Sequence, residues 1–184
     1  MKKELKVYHI TWVTHNSRVS ERMIKYNVKR GPAKYFDSEE EIEITRYISE
    51  IVKSDKLRVL NYNICGDHIH LIIVCEEIAR DSIVRKLKSE TARKFNIAHG
   101  YTISEIDTRQ GGKPPCSNRN RGDSQTQLWA QKFNCSYIET EEKLIKAFEY
   151  VKNNRNKHGL PDNPNLSAII DKMLTDYDKA FEQN

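Results

Sequence analysis

Apolar and polar positions alternate through residues 6 to 14, KVYHITWVT, which are rich in β-branched and aromatic side chains. That pattern predicts an opening strand with Val7, His9, Thr11 and Val13 on one face. From Ser17 to Phe36 no clear periodicity survives, and a loop with a short helix is expected. Ser38 followed three residues later by Glu41 reads as a capping box, and Ile44, Ile48 and Ile51 recur at helical spacing, predicting a helix from about Glu39 to Lys53. Two apolar runs follow, LRVLNYNIC and HIHLIIVC, parted only by Gly66 and Asp67. So short a connection allows only an antiparallel hairpin.

Residues 81 to 95 put Val84, Leu87, Thr91 and Phe95 on one helical stripe, with Arg85, Lys86, Lys88, Arg93 and Lys94 largely outside it. This is a basic amphipathic helix, fitted either to a solvated face or to nucleic acid. A short strand is expected near Tyr101. Residues 107 to 127 then have the glycine, proline, asparagine and arginine content of a long loop. Arg109, Lys113, Arg119 and Arg121 lie in it with no acid between them. A strand-like stretch, QLWAQKFNCSYI, leads to Thr140, a partial cap for a helix running to about Asn156, which Gly159 and Pro161 stop. A last amphipathic helix is expected from about Ser167 to Phe181. Strands joined by a hairpin and interleaved with helices imply an α+β domain, an antiparallel sheet covered by helices.

With 184 residues and 38% hydrophobic content, the chain is sized for one domain spanning 1–184, in which 159–184 is a C-terminal helical extension. The 31 basic and 26 acidic side chains leave +5, compatible with a polyanionic partner. No apolar stretch approaches the ~20 residues of a membrane span, and the start MKKELKVYHITW lacks a signal peptide's apolar region, so a cytoplasmic protein is expected. Cys65, Cys75, Cys116 and Cys135 show neither CxxC spacing nor the density of a disulfide scaffold and read as reduced thiols.

Chemistry concentrates in two places. His68 and His70 are two apart on a strand, so their imidazoles leave the same face and are able to grip one ion, while Ile69, Leu71, Ile73 and Cys75 fill the other. Alone, the HxH pattern fits equally two histidines on a solvated face. On the helix before Gly159, Leu144, Phe148 and Val151 form the apolar stripe, and Tyr150 lies roughly 130° from its centre. Asn154 stands one turn further along, with Lys143, Lys146 and Lys157 projecting nearby. A surface tyrosine among solvated lysines is the bland alternative.

Taken together, YHITWVTHNS, CGDHIHLIIVC, IVRKLKSETARKFN and LWAQKFNCSYIETEEKLIKAFEYVKNNRNKHGL resemble the HUH single-tyrosine transposases of small insertion sequences, especially the REP-associated branch. The resemblance implies a ferredoxin-like, RRM-like fold. It implies a DNA strand-transferase and endonuclease in which His68, His70 and Asn154 hold Mg2+ or Mn2+ and Tyr150 is the nucleophile. The product is a 5′-phosphotyrosine with a free 3′-hydroxyl, and reversal rejoins the strand without a nucleotide cofactor, in agreement with the absence of a GxxxxGK[ST] motif. The implied partner is single-stranded DNA carrying a hairpin, contacted by Lys86, Arg93, Arg109, Lys113, Arg119, Arg121, Lys143 and Lys146. The setting is bacterial or archaeal and nucleoid-associated, and the branch favours a monomer over a homodimer.

The family usually reads asparagine-proline where this chain has Asn154-Arg155, so the helix is expected to run on by a turn, and Asn153 and His158 stay open as third ligands. Two other classes compete: a hairpin-binding protein that does not cut, and a metal phosphodiesterase that uses water. A missing ligand or tyrosine would mark the first, and a lack of covalent adduct the second.

Overall fold

The computed structural model describes residues 4–19, 21–29, 31–100 and 127–182. The strand expected near Tyr101, the loop from 107 and its arginines and lysine at 109, 113, 119 and 121, and Cys116 lie outside the described residues. The opening alternation becomes β1 (Leu5–Val13), with Tyr8, Ile10 and Trp12 buried on one side and Val7 turned to the other. After a single helical turn, α1 (Glu21–Lys25), comes α2 (Ser38–Ser54). Ile44, Ile48 and Ile51 are buried as their spacing predicts.

The cap of α2 sits one residue earlier than the sequence indicated. The Asp37 carboxylate accepts from the Glu39 and Glu40 amides, and the Glu40 side chain accepts from the Asp37 amide, which leaves Glu41 free to turn inward. Its carboxylate is buried and accepts the Gly66 amide at 2.7 Å.

The hairpin is formed by β2 (Arg58–Cys65) and β3 (His68–Glu76), turning on Gly66 and Asp67. Gly66 has φ +49°, a conformation that a side chain makes costly. Helix α3 (Glu77–Ala98) starts on the residue after β3, four positions before the predicted start, with Val84, Leu87, Thr91 and Phe95 buried on the expected stripe. Then follow β4 (Asn134–Ile138) and α4 (Glu141–Lys157). The Lys143 amide donates to the Thr140 hydroxyl at the start of α4.

The predicted terminal helix is instead two pieces, α5 (Pro164–Asp171) and α6 (Tyr177–Ala180). Between them the Thr175 amide bonds the Val59 carbonyl at 2.7 Å, and Asp176 caps α6, so the chain is drawn onto β2 and a continuous helix is interrupted. No helix among the described residues is long and apolar enough to cross a membrane. Cys65, Cys75 and Cys135 are free thiols.

All strand pairs are antiparallel, in the order β2-β3-β1-β4. With α2 between β1 and β2 and α3 between β3 and β4, this is the ferredoxin-like connectivity that the resemblance implied. One face of the sheet carries the main apolar core. Ile10, Trp12, Ile64, Ile69, Leu71 and Ile73 pack there against Ile44, Ile48, Leu87 and Phe95. Each of these side chains contributes about 1.5–3 kcal/mol on burial, so the fold is held from this side.

The other face is divided. At one end Val7, Leu60, Ile72 and Val74 meet Leu144 and Val151 of α4, the stripe that the helix was expected to bury. At the other end the pleat turns His9, Thr11, Asn63, His68 and His70 toward the same side.

Helix α4 is fastened over this divided face by polar ties to β2. The Asn63 amide donates to the Val151 carbonyl at 2.6 Å and the Asn61 amide to the Phe148 carbonyl at 3.3 Å. Arg155, where the family was expected to have proline, is buried and donates to Glu41 at 2.7 Å, to the Ile64 carbonyl at 2.8 Å and to the Pro161 carbonyl at 2.9 Å. Glu41 thereby joins α4 to the Gly66 turn. Removing one member of a buried ion pair strands the other in low dielectric, so Arg155→Met is expected to lower stability by about 3–5 kcal/mol. Urea unfolding checks this, and a loss below about 1 kcal/mol contradicts it.

Candidate active site

The strand period carries His68 and His70 to one face of β3, and the register sets Thr11 opposite His70 and Val13 opposite His68. Both histidines are buried, and their ring centroids lie 5.0 Å apart. On the neighbouring strand, His9 Nε2 is 3.0 Å from His70 Nδ1, and the Thr11 hydroxyl is 2.9 Å from the same nitrogen. Either neighbour can accept from His70 Nδ1, and in the tautomer protonated there the Nε2 lone pair is directed away from the strand. His70 Nε2 is buried with no hydrogen-bond partner.

Burial, reinforced by the neighbouring His68, His9, His158 and Lys157, pushes the His70 pKa down to about 3. His70 is therefore neutral at physiological pH, the form that ligates a metal.

His68 is oriented from behind. Its Nδ1 donates to Asp67 Oδ1 at 2.7 Å, while Arg18 donates to Asp67 Oδ2 at 2.8 Å. Burial alone would raise the Asp67 pKa, but the hydrogen bond from His68 and the Arg18 charge outweigh it and hold the carboxyl below its usual range. With its Nδ1 proton engaged, His68 presents an Nε2 lone pair toward α4. There the Asn154 amide nitrogen lies 3.2 Å away, and Asn154 Oδ1 is buried without a partner.

Tyr150 and Asn154, one turn apart on α4, differ in burial. Asn154 is 1% exposed and packed against His68, whereas Tyr150 is 44% exposed at the rim. The Tyr150 ring stands edge-on to His70 at 5.3 Å and lies 6.1 Å from His9, and the Lys157 ammonium sits 5.3 Å from its centroid. The two residues singled out on α4 thus meet the HxH pair. Asn153 is exposed. The His158 ring lies 4.9 Å from that of His68 but is likewise exposed at the surface.

The basic side chains fare differently. Lys143 is tied to Glu139, and Lys86 to Asp55, each at 2.6 Å. Lys88 donates to the Ala130 and Gln131 carbonyls and struts the segment before β4. Arg93 and Lys146 are exposed. Of the three lysines expected around Asn154, it is Lys157 that reaches Tyr150.

Sequence reading missed Asp67, Arg18 and Arg155 as parts of this arrangement. Asp67 was visible as the acid directly before HIH. His9 and Thr11 were placed on the correct face by alternation, without a role. Nothing near Arg18 in the sequence points to Asp67, 49 residues away.

Among the described residues no three His, Cys, Asp or Glu side chains gather as a metal cluster. Two imidazoles and a carboxamide nevertheless converge, and two of their acceptor atoms are buried without partners. Such a donor set suits a divalent cation that tolerates nitrogen and oxygen ligands together.

A family model described as IS200-like transposase matches residues 3–108. The match takes in His68 and His70 and ends before α4. Among solved structures, a REP-associated tyrosine transposase bound to a REP hairpin is 15% identical, with a TM-score of 0.48. That alignment covers 85% of this chain and 70% of that one. A proposed transposase of Deinococcus radiodurans R1 is also 15% identical, with a TM-score of 0.42, 83% of this chain and 97% of that one being covered. No curated protein matches the chain.

Proposed function

Because the chain belongs to the IS200-like transposase family, we propose that it cleaves and rejoins single-stranded DNA at a hairpin-bearing site, with Tyr150 as the nucleophile. The observation that carries this reading is the position of Tyr150. An exposed phenol stands at the rim of a buried, cation-ready pair of histidines on its own chain.

Tyr150 Oη attacks the scissile phosphorus and the bond from phosphorus to the 3′-oxygen breaks. The strand is left joined to the enzyme as a 5′-phosphotyrosine. The phenol gives its proton to solvent, which the exposed ring meets directly, and the 3′-oxygen takes one up as it leaves. The Lys157 ammonium beside the ring adds positive charge next to the reacting groups. In the reverse direction a 3′-hydroxyl attacks the phosphotyrosine and releases Tyr150, so the ester energy is kept and no nucleotide cofactor is required.

The residues fit a divalent cation, Mg2+ or Mn2+, held by His68 Nε2, His70 Nε2 and the Asn154 carboxamide oxygen. Bound there, it would polarise the phosphate and steady the charge that develops on it. Asp67, Thr11 and His9 keep the two imidazoles in the required tautomer and orientation. Asn154 is preferred to Asn153 and His158 as third ligand, since its buried amide already lies against His68.

Helix α4 brings its tyrosine to the histidines of the same chain, which supports a monomer as the working unit. The exposed Arg93 and Lys146 remain candidates for phosphate contacts. Lys86 and Lys143 would have to leave their carboxylates to serve.

The test is a labelled hairpin oligonucleotide incubated with protein and Mn2+, then run on a denaturing gel. A protein-sized labelled band whose peptide maps to Tyr150 is expected. Cut DNA without an adduct would assign the reaction to water.

The support behind His68 gives a further expected outcome. Asp67→Asn keeps the shape and removes the charge, and should weaken Mn2+ binding about 10–100-fold, as losses of such ligand-orienting partners do. Titration calorimetry reads this directly, and unchanged affinity would remove Asp67 from the metal's support.

A further inference from the structure

From Arg18 to Tyr35 the chain carries six lysines and arginines and one acid, Glu21. That stretch alone holds a net +5, as much as the entire protein, and the remaining residues balance. It also displays rings. Tyr26 is 62% and Tyr35 63% exposed, far beyond what a core aromatic shows, and the Lys25 ammonium lies 5.5 Å from the Tyr26 centroid. Lys25 and Lys29 are exposed and pair with no carboxylate among the described residues.

The segment is anchored beside the histidines at both ends. Arg18 bonds Asp67, which holds His68, and the Phe36 amide bonds the Gly66 carbonyl at 2.8 Å. Thr14 and Asn16 clasp its far end through the Lys34 and Pro32 carbonyls. Tyr35 borders the turn so closely that a Cβ on Gly66 would lie 3.5 Å from its ring.

Positive charge interleaved with exposed aromatic rings is the makeup of a surface that binds single-stranded nucleic acid, phosphates meeting the cations and bases stacking on the rings. A duplex hides its base faces and has no use for such rings. We propose that residues 18–35 form a track for the unpaired DNA flanking the cleaved phosphate, with Tyr35 stacking on a base next to the histidine turn. This deepens the strand-cleavage reading and rests on it for the position of the scissile phosphate.

The test uses full-length Tyr150→Phe protein and two oligonucleotides, a hairpin with an unpaired flank and the same hairpin trimmed of it. Adding Tyr35→Ala should weaken binding of the flanked form by about 5- to 150-fold, the range for one lost stacked base. Binding of the trimmed form should stay within twofold, and Tyr35→Phe should restore the loss. Replacing Lys25 and Lys29 together by glutamine should flatten the salt dependence by about 0.7 per lost phosphate contact, again only with the flank. A 2-aminopurine in the flank should be quenched on binding and lose that quenching in Tyr35→Ala.

Equal losses on both oligonucleotides would overturn the track, as would no loss with quenching unchanged, or equal affinity for a fully paired flank. Its failure is distinct from failure of the cleavage reading. The covalent adduct of the unsubstituted protein reports on the latter and does not require Tyr35.

Discussion

Tyr150→Phe is expected to abolish the covalent adduct and to lower strand cleavage to below about one-thousandth of the original rate, the scale on which loss of a nucleophile acts. The substitution removes one oxygen from a side chain that is 44% exposed, so neither packing nor the ties of α4 to Asn61, Asn63 and Glu41 are disturbed. Folding and hairpin affinity should therefore be unchanged. Single-turnover cleavage with Mn2+, together with thermal unfolding, checks both halves. Near-original cleavage by Tyr150→Phe would make water the nucleophile and the protein a metal nuclease.

His70→Ala should be nearly as severe and for a different reason. It removes one of two buried imidazole donors and leaves His9 Nε2 and the Thr11 hydroxyl without the nitrogen they share. Cation affinity should fall by about 100-fold or more, at the upper edge of what is lost when only a supporting partner is removed. Cleavage should fall with it. Because the defect lies in loading the ion, excess Mn2+ should restore part of the rate in His70→Ala and none in Tyr150→Phe. Full cleavage by His70→Ala in the presence of chelator would remove the metal from the mechanism.

Much of this arrangement was legible in the chain because local periodicity carries it. A two-residue connection at Gly66 and Asp67 forces the hairpin, and a period of two sends His68 and His70 to one face. The helical angle between Leu144, Val151 and Tyr150 separates a buried stripe from an exposed phenol. What escaped reading was decided across long distances. Asp37 and Glu40 cap α2, and Glu41 instead serves Arg155, 114 positions away. The final helix broke in two because β2 offered the Val59 carbonyl to Thr175. The basic helix looked like a DNA face, yet Lys86 and Lys88 are spent on Asp55 and on the carbonyls before β4. Exposed charge has no period, so a lysine's partner is invisible until the fold brings it near.

The tie between Arg155 and Glu41 also constrains how such a chain can diverge. Either residue changed alone leaves a charge stranded in the interior, a step that selection on stability would reject. Both changed together, to apolar side chains of similar volume, can leave the fold as stable as before. The two positions are thus expected to be inherited as a unit. A descendant reaching proline after Asn154, as the family pattern has it, must pass through a change at Glu41 and find the Gly66 amide another acceptor. The path between the two forms is narrow, and it runs through buried residues.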